Sequence, residues 1–300
     1  MNSDPDENAA EQDDSSRRGE LPILRRPILI AAFSGWNDGA DAATGAVEHL
    51  ALEWNATSIH EIDPDEYYDY QSTRPTIRQK DGVTRRIEWP VTSVSACVLE
   101  GHDRDVVLVL GPEPNYRWRA YCAHLVDLAE ALDVEMTVML GALLADTPHT
   151  RPVPVSGTAE TADSAKRLGL ELSRYEGPTG ITGVLSDAFV QAGIPSVSLW
   201  AAVPHYVAHT ANPKAILALL TNLATVTGVP IPLGTLPHRA EEWEQTITEL
   251  TMDDEDMAAY VHELEETTDE DLNDAMLRID GEELAAEFEK YLRRRGDEGP

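Results

Sequence analysis

A chain of 300 residues with 42% apolar content is long enough to bury a sizeable core, and its formal charge of -31 sets long-range repulsion against nucleic acid and anionic membrane surfaces. The acid excess is concentrated: residues 1–20 carry a net -5, residues 241–300 a net -17, and the 220 residues between them only -9. Basic partners are favoured, and the uniformly acidic coat of a halophile is not.

Residues 1–20 are polar and lack an apolar segment, so they predict a disordered acidic tail and not a secretory leader. The run "ILIAAF" at 28–33 predicts a buried strand, followed by a Gly/Asn/Asp loop and an Ala-rich helix from about Asp38 to Trp54. "ATSIHEID" is a second short strand, and the alternation around Asp81-Gly82 predicts a two-stranded excursion at 76–89. "DVVLVLGPEPNYRWRAYCAHLVDLAEAL" gives strand, Gly/Pro loop and helix, and "EMTVMLGALLAD" is the most hydrophobic strand of the chain.

The alternation continues with a short extended piece in "RPVPVSGTAE", a glycine loop and helix in "EGPTGITGVLSDAFVQAG", and a strand in "IPSVSLWAAVPHYV". The helix of "NPKAILALLTNLATVTG" opens with Asn212 as cap and Pro213 in its first position. Strands alternating with helices predict one main body at 21–235, a three-layer α/β/α domain with a mostly parallel, mixed sheet. From 236 to 300, Trp243, Ile247, Leu250, then Met257, Tyr260, Val261, Leu264, and further apolar residues to Tyr291 recur at helical spacing among acids. That pattern predicts an acidic region of amphipathic helices whose apolar stripes cover the body or another subunit.

Ligands of open α/β sheets bind beyond the carboxyl ends of the strands. Five loops are expected there, at 33–41, 111–118, 145–152, 177–183 and 200–206, and they would gather Asp38, Asp41, Glu113, Arg117, Asp146, His149, Arg151, Thr179, Thr182 and His205 at one edge. Loop 33–41 lacks both glycine patterns of nucleotide-binding loops, and Asp38 beside a helix start fits a cap. The amides of "GPTGITG", with Thr179, Gly180 and Thr182, either cradle an anion or form a tight turn. His149 beside Asp146 is either an oriented general base, with Arg151 holding an anion, or part of a turn in which Asp146 accepts backbone N–H bonds and pairs with Arg151. His205 and Tyr206 follow a strand and join the candidates, as do Trp36 and Ser34, whose F-S-G-W context resembles a nucleophile elbow only loosely.

Asp38, Asp146, His149 and His205 lack zinc-site spacing, so neither a metal nor a cofactor is expected. Cys97 and Cys122 stand apart in apolar context and read as buried free thiols of a reducing cytoplasm. No apolar run approaches the ~18 residues a bilayer span needs.

The strings "AFSGWNDGADAA", "LGPEPNYRWRAY", "LGALLADTPHTRPVPVSG", "YEGPTGITGVLSDAFVQAGIPSVSLWAAVPHYV" and "NPKAILALL", in this order over residues 24–230, resemble the actinobacterial branch of the proteasome assembly chaperone two family. The acidic end at 237–295 is also similar to that branch. The resemblance implies a phosphorylase and peptidyl-hydrolase type of α/β/α fold, and relatives that are non-enzymatic chaperones with proteasome subunits as partners. Those relatives end in a hydrophobic-Tyr-any-residue tail, which has no counterpart in the closing "KYLRRRGDEGP". The expectation is a cytoplasmic chaperone-like or protein-interaction protein, a homo-oligomer set here at a trimer. The alternative is a phosphorylase- or hydrolase-type enzyme or small-molecule binder, with His149, Asp146 or His205 as acid/base groups.

Overall fold

In the computed structural model, residues 21–80 and 84–267 are described. The predicted tail at 1–20, the Asp81-Gly82 turn and the apolar repeats from Leu272 to Tyr291 lie outside these residues. Ten strands are described: β1 (Ile28–Ser34), β2 (Thr57–Ile62), β3 (Thr76–Lys80), β4 (Thr84–Glu88), β5 (Thr92–Cys97), β6 (Val106–Pro112), β7 (Met136–Ala145), β8 (Val155–Ala159), β9 (Glu171–Leu172) and β10 (Ser196–Pro204). The α-helices are α1 (Ala42–Glu53), α2 (Trp118–Ala131), α3 (Ala162–Leu168), α4 (Ile181–Gln191), α5 (Pro213–Thr227), α6 (Leu236–Met252) and α7 (Glu255–Glu266).

Eight strands form one sheet in the order β2-β5-β6-β1-β7-β10-β8-β9, and β3 and β4 pair only with each other. The four central strands β6, β1, β7 and β10 are parallel, while β5 and β8 run antiparallel beside them. The fold is therefore the three-layer α/β/α architecture with a mixed sheet.

Alternation along β1 explains the layers. Ile28, Ile30 and Ala32 face a core shared with Val47 and Leu50 of α1 and with Leu219 and Leu223 of α5. Leu29, Ala31 and Phe33 face the opposite core with Tyr121 and Leu125 of α2 and with Leu185 and Phe189 of α4. A strand apolar at every position fits a parallel strand covered on both faces. Each fully buried aliphatic or aromatic side chain contributes about 1.5–3 kcal/mol. Cys97 and Cys122 are buried free thiols, and burial pushes both up to about 12.

Five local features differ from the sequence expectations, one of them the two-residue strand β9 beside β8. Helix α1 starts at Ala42, because Ala40 and Asp41 sit in the left-handed region at φ 52° and 51° and make a separate turn. Strand β5 was not expected: its buried residues Thr92, Val94, Ala96 and Cys97 are small and alternate with serines, so no apolar run marks it. Helix α3 was also not expected, although Thr161 caps it by accepting from the Ser164 N–H at 3.3 Å. Leu250 belongs to the expected apolar stripe of α6 but is 63% exposed.

Candidate functional site

Because β6, β1, β7 and β10 are parallel, the loops that follow them share one rim. The β1 loop is tied to its neighbours through backbone bonds: Glu113 N donates to Ser34 O at 2.9 Å and Ala142 N to Asn37 O at 2.8 Å. Gly35 holds φ at 130°, a conformation open to glycine and strained for other residues. Glu113 extends over this loop to the start of α4, where its Oε1 accepts from Ile181 N at 2.7 Å and from Asn37 Nδ2 at 3.2 Å. Gly180 packs so closely on the Asn37 amide that a Cβ there would overlap it.

The positive end of the α4 dipole thus holds a carboxylate supplied by the chain itself. Burial pushes the Glu113 carboxyl above its ordinary range, and the Ile181 and Asn37 bonds pull the other way. Within "GPTGITG", the Ile181 amide is taken by Glu113 of the same chain. Thr182 is buried in the same first turn, its hydroxyl without a partner among the described residues, while Thr179 donates to Gly180 O at 3.4 Å.

Asp38 is a cap. Its Oδ1 accepts from Ala43 N at 2.7 Å and Thr44 N at 3.2 Å, and the Thr44 hydroxyl bonds its other oxygen. Burial pushes this carboxyl up to about 6, against those bonds. Trp36 is half-buried in the same loop.

His149 lies under α6 and α5, separated from this centre. Tyr206 Oη stands 2.8 Å from both its backbone N and its Nδ1, and Nε2 lies 3.0 Å from Thr248 Oγ1. Thr248 spends its hydrogen on Glu244 O at 2.7 Å, so the His149 Nε2 must donate and Nδ1 must accept from the Tyr206 hydroxyl. Burial and then the nearby Lys214 ammonium hold the imidazole below its ordinary pKa, hence neutral. Both ring nitrogens are engaged, which corrects the expected pairing of His149 with Asp146.

Asp146 is exposed and pairs instead with His205 Nδ1 and the Tyr260 hydroxyl, each at 3.1 Å. Arg151 pairs with Glu265 at 3.5 Å, not with Asp146. The turn expected to unite Asp146 and Arg151 is therefore stitched to α7 at two separate places. His205, Tyr206 and Tyr260 meet edge to face with ring centroids 5.6–6.1 Å apart. Arg117, left-handed at φ 55°, turns away to Glu66 at 2.6 Å over the ring of Tyr67.

The rim thus splits into two groups. Trp36, Asp38, Glu113, Gly180 and Thr182 gather around the α1 and α4 starts, and Asp146, His149, Arg151, His205 and Tyr206 gather under α6 and α7. Sequence reasoning missed Asn37, Thr248, Tyr260 and Glu265 as partners, since amides, hydroxyls and surface acids carry no motif.

A cavity of about 600 Å³ opens between α1, α5 and the β1 and β6 ends, lined by Ser34, Asp41, Glu48, His49, Ile216 and Arg239 among others. Of the candidate ligand-binding residues, Ser34 lines it; the remainder lie elsewhere. Among the described residues no cluster of three metal-ligating side chains occurs, and no helix is long and apolar enough to cross a membrane.

A model of the PAC2 family matches residues 32–251. The chain is 57% identical to a proteasome-assembly chaperone homologue of Mycobacterium tuberculosis, covering 78% of this chain and 99% of that one at a TM-score of 0.71. It is 50% identical to a PAC2 family protein of Streptomyces avermitilis, with the same coverage and a TM-score of 0.73. An archaeal homologue of proteasome-assembly chaperone from Pyrococcus furiosus, 16% identical, covers 83% of this chain and 97% of its own at a TM-score of 0.55 and shares the fold. No curated protein matches the chain.

Proposed function

Since the chain belongs to the PAC2 family, we propose that it is a cytoplasmic, homo-oligomeric, chaperone-like protein that binds proteasome subunits, with three copies as its assembly. One observation carries this: most of the candidate polar groups of the rim are bound to one another, the Thr182 hydroxyl excepted. Glu113 is held by Ile181 and Asn37, His149 by Tyr206 and Thr248, and Arg151 by Glu265. A general base needs a free nitrogen or carboxylate within reach of substrate, and His149 has neither ring nitrogen to spare. Fixed loops of this kind present a rigid surface, which suits docking to another protein.

The test mixes the purified full-length chain with purified proteasome α and β subunits and follows binding by interferometry and co-elution. Saturable micromolar or tighter binding to one subunit type is expected. Absence of binding to both at 50-fold excess over micromolar concentrations would overturn the proposal.

A second reading rests on the open depression of about 600 Å³ beside α1, whose Asp41, Glu48 and Arg239 offer both signs of charge. In that case the chain is a small-molecule binder or a hydrolase- or phosphorylase-type enzyme acting at Ser34, away from His149. Stabilisation by a nucleoside, phosphate or a peptide that disappears in Arg239→Ala is its expected signature.

A further inference from the structure

Charge is distributed unevenly in a way that pairs two distant surfaces. Residues 74–89 hold five bases (Arg74, Arg78, Lys80, Arg85 and Arg86) against Asp81 and Glu88, a net +3 in a chain of -31. Residues 241–266, which build most of α6 and α7, hold eleven acids and neither lysine nor arginine.

The basic segment is the β3–β4 sheet, which makes no strand pairing with the main sheet. Its register sets Ile77 opposite Ile87, and these are 65% and 51% exposed. Trp89 follows on the same arm, half-exposed against Tyr70 at 4.8 Å between ring centroids. Arg78 bonds Glu88 at 2.6 Å, but Arg78 also stands directly opposite Arg86. Like charges opposed across two strands destabilise a pair that is marginal alone, and so do uncovered isoleucines. An acidic, partly apolar partner removes both defects.

The α6–α7 corner has that character. Leu250 and Met252 are 63% and 71% exposed at the end of α6, flanked by Glu249 and Asp253. Within one copy the strands that carry the hairpin stand apart from the corner: β5 lies four strand spacings and β2 five from β10, whose end α7 covers, or about 19 and 24 Å. The net charge of the whole chain disfavours nucleic acid as an alternative occupant.

We propose that the β3–β4 hairpin docks on the α6–α7 corner of a second copy of this chain, Ile77 and Ile87 against Leu250 and Met252, arginines against Glu249 and Asp253. Such a contact joins unlike surfaces head to tail, so it closes into a ring when the rotation between copies permits. It rests on the homo-oligomer half of the function proposed above and is independent of the proteasome half.

The test is light scattering after size exclusion of the full-length chain. The wild type is expected to run as a multimer of the 33.0 kDa chain, losing mass at 1 M salt as screened charges weaken. Arg85→Glu with Arg86→Glu is expected to give the 33.0 kDa species, as is Glu249→Arg with Asp253→Arg, and combining all four is expected to restore the multimer. Far-ultraviolet circular dichroism matching wild type and a single cooperative urea transition establish that the hairpin and corner variants fold. A monomeric wild type overturns both this contact and the homo-oligomer, leaving proteasome binding to its own test. An undiminished mass in Arg85→Glu/Arg86→Glu overturns the hairpin as the docking arm, and failure of the four-fold combination to restore it overturns the acidic corner as its occupant.

Discussion

Asp105 has the densest set of bonds to one carboxylate in the molecule as described. It is 1% exposed and accepts from Arg25 N, Arg25 Nε and Nη2, and Leu99 N at 2.6–3.1 Å. Burial alone would raise its pKa, but the guanidinium and the backbone donors outweigh burial and lower it. Removing the side chain leaves a half-exposed cation and two amides without acceptors. Asp105→Ala is therefore expected to cost about 3 kcal/mol in urea unfolding; a loss under about 1 kcal/mol would show the network to be dispensable. Asp38 runs the other way. Its folded pKa of about 6 lies above the unfolded value of 3.8, so the folded state binds the proton more tightly and the charged form is penalised at neutral pH. Relative to Asp38→Asn, the wild type is expected to gain about 2 kcal/mol as pH falls from 7 to 4, a window set by those two values. A flat difference between the two proteins over that range contradicts the desolvated carboxylate.

At the scale of elements, caps and crossings decide how the rim is held. Asn212 caps α5 by accepting from Ala215 N at 3.0 Å, and its own N–H donates to Ala40 O, joining α5 to the left-handed turn before α1. Asn212→Ala is expected to cost about 1–2 kcal/mol, read from the urea midpoint, because the cap is fully buried. Retention of wild-type stability would mean that the α5 start satisfies itself. Most elements were legible as apolar runs between Gly and Pro, and the Asn212-Pro213 start could be placed to the residue. Strand β5 was not legible, since Thr92 and Ala96 pack against β6 through small side chains that carry no hydrophobic signal. The site was legible as loops but not as pairs: Glu113 and Ile181 are 68 residues apart and His149 and Thr248 are 99 apart. Local spacing says which residues reach the rim; only the crossing of α4 and α6 over the strand ends says whom they meet.

Over the whole molecule, a mildly acidic body carries a basic arm near one edge of its sheet and an acidic helical pair whose α7 meets Asp146 and His205 beyond β7 and β10. That polarity is what the proposed association with copies of itself and with other proteins draws on. The most direct test is differential scanning fluorimetry of the full-length chain against nucleosides, inorganic phosphate and short peptides, beside purified proteasome subunits. A small molecule present at 100 times its dissociation constant stabilises by about 2.7 kcal/mol, a shift of several degrees at most for a protein of this size. No shift with any small molecule, together with a saturable response to a proteasome subunit, is the predicted result. A saturable shift with a nucleoside or phosphate, and none with the subunits, would contradict it.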